Sequence, residues 1–541
     1  MSDRDIEDPN FHIRRHREQP RDEPPAVPGE GQDTGQEQAS PARAAASAKD
    51  GAGHAAARSA AHTPTPRSKL SEAALGDGYY AEVSGRRQNP VSRLVTHWVD
   101  RVTGAAAQRS FAEQEAEYAS GRTKRDYVCN TVGTMLWGAV FPLLTIVTTQ
   151  LVGAEQAGMF SLVFVTATLL MFVANYGVRT FQVSDTREEH SFADYQLNRV
   201  LTCIIMMVAG YVYCTVRGYT ADVFTISMGV YTYRMIDALA DVYEGRLQQA
   251  DKMYLAGLSQ ALRSAFVFIV FTAVLFVTRS LVVSSIFMAA AAVASLVVLT
   301  LPLAYMETPK SRKLRGGNVV DLFQRCFPLF VALFLYNLID NMPKFMMEGV
   351  LTYDNQLFFN AIYFPAHAIL LIVSMVYKPL LLRLANAWES PDGRRQFNLI
   401  LGAVLGCVVG VTVFMLVFMG WVGVPIMSFM YGVDFEPFRI PLYIMIVAGG
   451  ITAAIDFLCQ VITVQRKQNK IMKLYVVTFA VSVVSSFALI HLFGLLGAVA
   501  AYAIEMAVLL VLMVLQITNI RARAMEKSRA RRAEGVGQSW Y

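Results

Sequence analysis

Charge is scarce in this sequence, and the marks of export, metal binding and ATP use are missing. Only 17% of the 541 residues are charged, whereas 54% are hydrophobic, a balance that excludes an ordinary soluble globule. The N-terminal MSDRDIEDPNFHIRRHREQP has no apolar core of the kind a secretory signal needs. The six cysteines, Cys129, Cys203, Cys214, Cys326, Cys407 and Cys459, form no CxxC pair and have no histidine at metal-ligand spacing. That excludes a metal ribbon or disulfide scaffold, leaving reduced thiols and no expected metal or cofactor. No Gly-rich phosphate loop is present, which excludes an intrinsic ATP-driven pump. The net charge of +6 does not point to nucleic acid, because the basic residues sit largely in short segments between apolar runs.

What the sequence has instead is long apolar runs, confined to its second part. Residues 1–120 are polar, and the Ala/Pro/Gly/Gln-rich tract from Glu23 to Pro66 cannot bury enough apolar surface to offset its chain entropy, so a disordered extension is expected. A short amphipathic helix from Val91 to Val102, with Leu94, Trp98 and Val102 on one face, would suit a membrane surface. A helix crossing roughly 30 Å of hydrocarbon needs about 20 apolar residues. Cut at that length, the remainder gives twelve spans: 131–152, 157–176, 198–216, 222–243, 257–278, 281–305, 322–348, 356–377, 398–420, 438–460, 472–493 and 495–518. The stretch WVGVPIMSFMYG at 421–432 either extends the ninth span or forms a re-entrant piece.

The connections orient these spans. Alternate loops carry eighteen basic residues, among them Arg179, Arg187, Arg199, Arg246, Lys252, Lys310, Lys378, Arg394 and Arg466, whereas the intervening loops hold only Arg217, Arg279 and Arg439. Both termini are therefore expected in the cytoplasm, in a multi-pass protein of the cell membrane. The expected architecture is all-α and integral to the membrane: an N-terminal lobe over 121–320, a second six-helix lobe over 321–520, and a basic tail over 521–541.

An ionised group at mid-bilayer costs about 2.5 to 3.5 kcal/mol even on the lenient insertion scale, so each one asks for a partner or a watery cavity. Lys344 lies well inside the seventh span beside Pro343, with Asp340 and Glu348 four residues to either side. The group either neutralises itself on one helix face or presents a cation to a central cavity. Arg234 and Asp237, three apart in the fourth span, can lock two helices or meet cargo equally well. Asn337, Asn341 and Asn175 could line a polar path or bond helix to helix. Arg179 stands where a phosphate entering from the cytoplasm would first be met, and also where an orientation anchor would sit. Glu505 and His367 are lone groups, expected to be a protonated or interfacial acid and a neutral, hydrogen-bonded ring. Small residues such as Gly133 and Gly138 would let helices pack closely.

A faint duplication is visible. AEQAGMFSLVFVTATLLMFVANYGVR lies about 200 residues before YDNQLFFNAIYFPAHAILLIVSMVYKP, each with an acidic residue and Gln ahead of an aromatic start, as in transporters built from repeats related by an axis along the membrane normal. Three pieces carry a more specific likeness: NTVGTMLWGAVFPLLTIVTTQLVG, YGVRTFQVSD, and NLIDNMPKF followed by NQLFFNAIYFPAHAILLIVSMVYKPLL. From Lys124 to Asn519 the chain resembles the polysaccharide-biosynthesis (Wzx-type) flippases of the multidrug/oligosaccharidyl-lipid/polysaccharide (MOP) exporter superfamily. The family's Asn-x-Pro-Lys-aromatic pattern falls on Asn341, Pro343, Lys344 and Phe345. The resemblance implies two six-helix lobes around a cavity that opens alternately to each side, with a lipid-pyrophosphate-linked glycan as cargo. The N-terminal extension lies outside that pattern.

The expected function is accordingly translocation of polyprenyl-pyrophosphate-linked oligosaccharide, with membrane lipids and the polysaccharide assembly machinery as partners. Lys344, Asn341, Asn337, Asp340, Arg234, Asp237 and Arg179 are the candidate cavity residues. No residue identifies a coupling ion, H+ or Na+. A MATE-like small-molecule exporter is the nearest rival, though a cation in the path suits anionic cargo better. A glycan polymerase or ligase fits less well, since loops such as RGYTAD and YGVDFEP are short and lack a catalytic constellation. A scaffold without transport is the remaining rival.

Overall fold

The computed structural model describes residues 111–185, 189–308, 316–389, 393–465 and 469–537, all within one compact unit, Tyr79–Tyr541. The surface helix expected from Val91 to Val102 and the first 110 residues of the extension expected over 1–120 lie outside the described residues; the extension's last ten, 111–120, are helical and open the first helix.

The described chain is a succession of helices: α1 (Phe111–Val152), α2 (Ala154–Asn175), the short α3 (Val178–Ser184), α4 (Phe192–Val216), α5 (Ala221–Gln249) and α6 (Met253–Thr278). Next comes α7 (Leu281–Ser295), prolonged through a π turn, Leu296–Thr300, into Leu301–Glu307. The second half holds α8 (Gly316–Met347), α9 (Tyr353–Tyr377), the short α10 (Leu381–Glu389), α11 (Arg394–Phe418), α12 (Arg439–Val464) and α13 (Asn469–Gly537). A π turn, Met419–Gly423, carries α11 on into Val424–Tyr431, so WVGVPIMSFMYG extends the ninth span.

Local chemistry sets the breaks. Ser191 and Asp194 form a reciprocal capping box that starts α4, satisfying two orphan amides at once. Tyr176 and Gly177, at φ 47 and 68, turn the chain out of α2. Gly494, at φ 58 and ψ −130, interrupts α13. Ser486 donates to Glu505 at 2.7 Å, although 19 residues of continuous helix would hold them roughly 28 Å apart. The chain therefore reverses at Gly494, and α13 makes two antiparallel crossings.

Ten stretches among the described residues are long and apolar enough to cross a membrane. One of them, Lys470–Arg523, holds the two crossings of α13, and α5, too charged to qualify by composition, completes twelve. The first apolar core draws its buried residues from Val140 to Leu296, among them Leu144, Phe160, Tyr231 and Phe271. The second runs from Ile339 to Ile520 and takes in Ala157 from the first half, with Ile146 and Ala154 packed against it. The duplicated segments α2 and α9 pack against each other where the halves meet. There Gly158 is needed: a Cβ on it would lie 1.7 Å from the Tyr353 carbonyl oxygen. Gly133 likewise abuts Gly257 of α6, at 2.3 Å from an added Cβ to the carbonyl oxygen, but Gly138 has no neighbour within 4 Å and does not serve close packing.

Candidate functional site: two polar clusters and two closures between the lobes

Charge enters the protein both inside the apolar spans, at Arg234, Asp237, Asp241 and Arg263, and on the turns just beyond them, at Glu244. On α5, Arg234, Asp237, Asp241 and Glu244 recur every three or four residues, which places them on one face. Asp237 accepts from Trp137 at 3.0 Å, Arg234 at 3.1 Å and Arg263 of α6 at 3.0 Å. Arg263 reaches back to Glu244 at 2.5 Å. Arg234 also lies over the Phe164 ring at 4.4 Å and the Trp137 ring at 4.9 Å. Asp241 takes Arg179 of α3 on one oxygen and Arg199 of α4, at 2.9 Å, on the other. Four guanidiniums thus meet three carboxylates, leaving one positive charge in excess.

Arg199 was expected in a loop with the orientation-setting residues. It is fully buried, donating also to the Ala174 carbonyl and to Asn175 Oδ1. Arg246 is buried as well, bonded to Gln249. Arg246 belongs to the interior because α5 continues past its apolar run, whereas Arg199 stands at the start of the run 198–216, two turns into α4 and already inside the bundle. Arg179 is about one-third exposed. Burial works against its charge, but Asp241 and Glu244 outweigh that and hold the guanidinium above its ordinary range.

The second cluster lies inside the other lobe. Lys344 is only 2% exposed; its ammonium donates to Asn341 Oδ1 at 2.9 Å and sits 4.1 Å above the Tyr363 ring. Asp340 and Glu348, expected to share its face, do not pair with it. Asp340 accepts from Tyr363 at 2.8 Å and Tyr502 at 2.9 Å, and Tyr363 also contacts His367 Nδ1 at 3.2 Å. Asn337 and Asn341 donate to the carbonyls one turn back on α8. Nearby, Asp456 of α12 accepts from Tyr377, and Glu505 is buried against Ser486. The seven candidates therefore form one group per lobe: Arg179, Arg234 and Asp237 in the first; Asn337, Asp340, Asn341 and Lys344 in the second.

The lobes meet at both ends. At one end Glu348, just past α8, accepts from Tyr213 at 2.7 Å, Tyr219 at 2.6 Å and Arg217 at 3.0 Å, all near the α4–α5 turn. At the other end, where the basic loops project, His190 meets Asp321 at 2.9 Å, Asn318 donates to Asp194 at 3.2 Å, and Tyr176 stacks on Phe330 at 4.5 Å. A polar cavity of about 320 Å³ opens beside this second closure, lined by Asp185, His190, Tyr195 and Arg325. Sequence reasoning missed both closures and the roles of Arg263, Asp241 and Glu244. Only the regular spacing of acids on α5 could have signalled the latter two.

No family model matches the chain, and no curated protein does. Solved structures match its fold. The Vibrio cholerae MATE transporter VcmN in its bent form aligns with a TM-score of 0.51 at 12% identity, covering 75% of this chain and 98% of that one. The lipid II flippase MurJ in an inward closed conformation aligns at 0.56 with 11% identity, over 72% of this chain and 87% of MurJ. A MOP-superfamily transporter from Pyrococcus furiosus aligns at 0.50 with 14% identity, over 74% and 96%. The chain has the fold of the MOP-superfamily transporters.

Proposed function

We propose that this protein is a flippase that moves polyprenyl-pyrophosphate-linked oligosaccharide across the cytoplasmic membrane by alternating access. The observation that carries the reading is the cationic excess of the four-arginine, three-carboxylate cluster in the first lobe, with Arg179 partly exposed close to the closure at the basic end. An anionic cargo arriving from that side would meet Arg179 first, and the arginines behind it would offset its charge. Crossing hydrocarbon unaided would cost several kcal/mol for each polar group stripped of water, so a polar route between lobes is what such a cargo needs. MurJ, described as a lipid II flippase, shares the fold and supports the same cargo class. The carboxylates of the second lobe, Asp340, Asp456 and Glu505, are the groups we assign to a coupling ion, H+ or Na+. The arrangement suits a cationic-drug exporter less well, since the excess guanidinium of that cluster would repel its cargo.

Genetic complementation tests the reading. In a host deleted for this gene, the wild-type chain should restore surface glycan. Arg179→Ala and Lys344→Ala should abolish it at unchanged protein level, and Lys344→Arg should keep part of it. Surface glycan unaffected by deletion, or restored in full by both alanine variants, would sink the proposal.

A further inference from the structure

The second lobe carries a groove on a flank whose lining shares no residue with either closure. It lies between α11, α12 and the second crossing of α13, has a volume of about 530 Å³, and is walled almost wholly by aliphatic side chains. Val409, Val447 and Val514 on its walls are 62%, 46% and 44% exposed, so the groove opens sideways to whatever surrounds the bundle. Its floor is drawn in at Gly450, where an added Cβ would lie 2.3 Å from Thr412 Oγ1. A cation closes one end: Arg521 of α13 donates to Asn398 and lies over the Phe397 ring at 5.5 Å. A guanidinium has five N–H donors, and Asn398 engages one group of them.

Dimensions and charge point to one occupant. From Leu510 to Arg521, both on the lining, α13 rises roughly 16 Å, about half of a hydrocarbon core of roughly 30 Å. The groove therefore spans one leaflet, from mid-membrane to the end where Arg394 and Arg395 open α11. Basic pockets between crossings at such an end take anionic lipid headgroups.

We propose that this groove binds one anionic phospholipid, an acyl chain lying along α13 and the headgroup phosphate resting on Arg521. The proposal stands apart from the flippase reading, because the groove is not between the lobes. It predicts that the second lobe is steadied by anionic lipid whatever the cargo is.

Native mass spectrometry of the full chain in a non-ionic detergent, with phosphatidylglycerol or phosphatidylcholine of matched chains added, tests it. Wild type should retain one phosphatidylglycerol, at least roughly fivefold more than phosphatidylcholine, the preference that a single basic residue supplies. Arg521→Gln should bring retention down to the phosphatidylcholine level. Val447→Trp, filling the groove from an exposed wall, should abolish retention with Arg521 in place, and Val409→Trp serves if the first variant misfolds. Equal retention of the two lipids, or retention indifferent to both kinds of variant, would overturn the proposal. So would preferential capture of a polyprenyl phosphate, which would mark a cargo-tail site, or a stable dimer covering the flank.

Discussion

A single guanidinium, Arg263, spans two carboxylates that lie two turns apart on α5, Asp237 at 3.0 Å and Glu244 at 2.5 Å. All three are buried. Removing one partner from a buried ionic group is costly because the charge left behind has no water, typically about 3 to 5 kcal/mol. Arg263→Ala should therefore lower the melting temperature sharply in fluorescence-detected size exclusion, and Arg263→Lys, which keeps the charge without the fork, should fall between. A melting profile unchanged by either would show that the network does not hold α5 to α6. The sequence announces the Arg234–Asp237 half of this network, since three-residue spacing puts two side chains on one helix face. Arg263, inside the span 257–278, also asks for a partner, but the sequence is silent about which, because the Arg263–Asp237 and Arg263–Glu244 pairs join different helices and depend on how those helices pack. Lys344 shows the opposite failure: its spacing to Asp340 suggests an ion pair, yet Tyr363 and Tyr502 claim the carboxylate.

At the scale of elements the apolar runs were legible because bilayer thickness sets their length, and all twelve appear as helices. Their ends were not, since hydropathy stops where charge begins while the helix continues. Arg199 and Arg246 therefore read as loop residues and turn out to be buried. The duplication in the sequence finds a physical use in the pairing of α2 with α9, whose close approach depends on Gly158. Gly158→Val cannot fit against the Tyr353 carbonyl, so the two helices must separate at that end. Spin labels on Glu155 and Asn355 should report a longer distance in Gly158→Val than in its parent; an unchanged distance would mean the contact yields elsewhere. The reversal at Gly494 makes a second demand. Its φ of 58 with ψ of −130 is a conformation that side chains resist by about 1 to 3 kcal/mol. Gly494→Ala should destabilise the last two crossings by that amount in the same melting assay, and equal stability would show that another residue makes the turn.

For the whole molecule, alternating access requires the two closures to open at different times, so their relative strength decides which side is favoured. The Glu348 closure rests on one carboxylate taking donors from Tyr213, Tyr219 and Arg217 of the other lobe. Burial works against charge on Arg217, but Glu348 more than compensates and holds its pKa above the ordinary value. Tyr219 is raised as well, by burial first and then by Tyr213 and Glu348. A raised tyrosine keeps its donating proton at every pH below that higher value, and its contribution is lost only as pH climbs through it, beyond the ordinary value of about 10. These donors therefore keep the closure constant between about pH 7 and 9. Glu348→Ala removes the shared acceptor, and a hydrogen bond to a charged group is worth about 1.5 to 3 kcal/mol. A loss of about 2 to 3 kcal/mol shifts the balance of open to closed by roughly 30- to 150-fold. Ala157, which is fully buried between the lobes near that end, supplies the reporter. In an Ala157→Cys background, Glu348→Ala should raise the rate of labelling by a membrane-impermeant maleimide, and the increase should persist across that pH range once the reagent's own pH dependence is divided out. Labelling as slow as in the parent would show that the packing of α2 on α9 keeps this end shut and that Glu348 only decorates it.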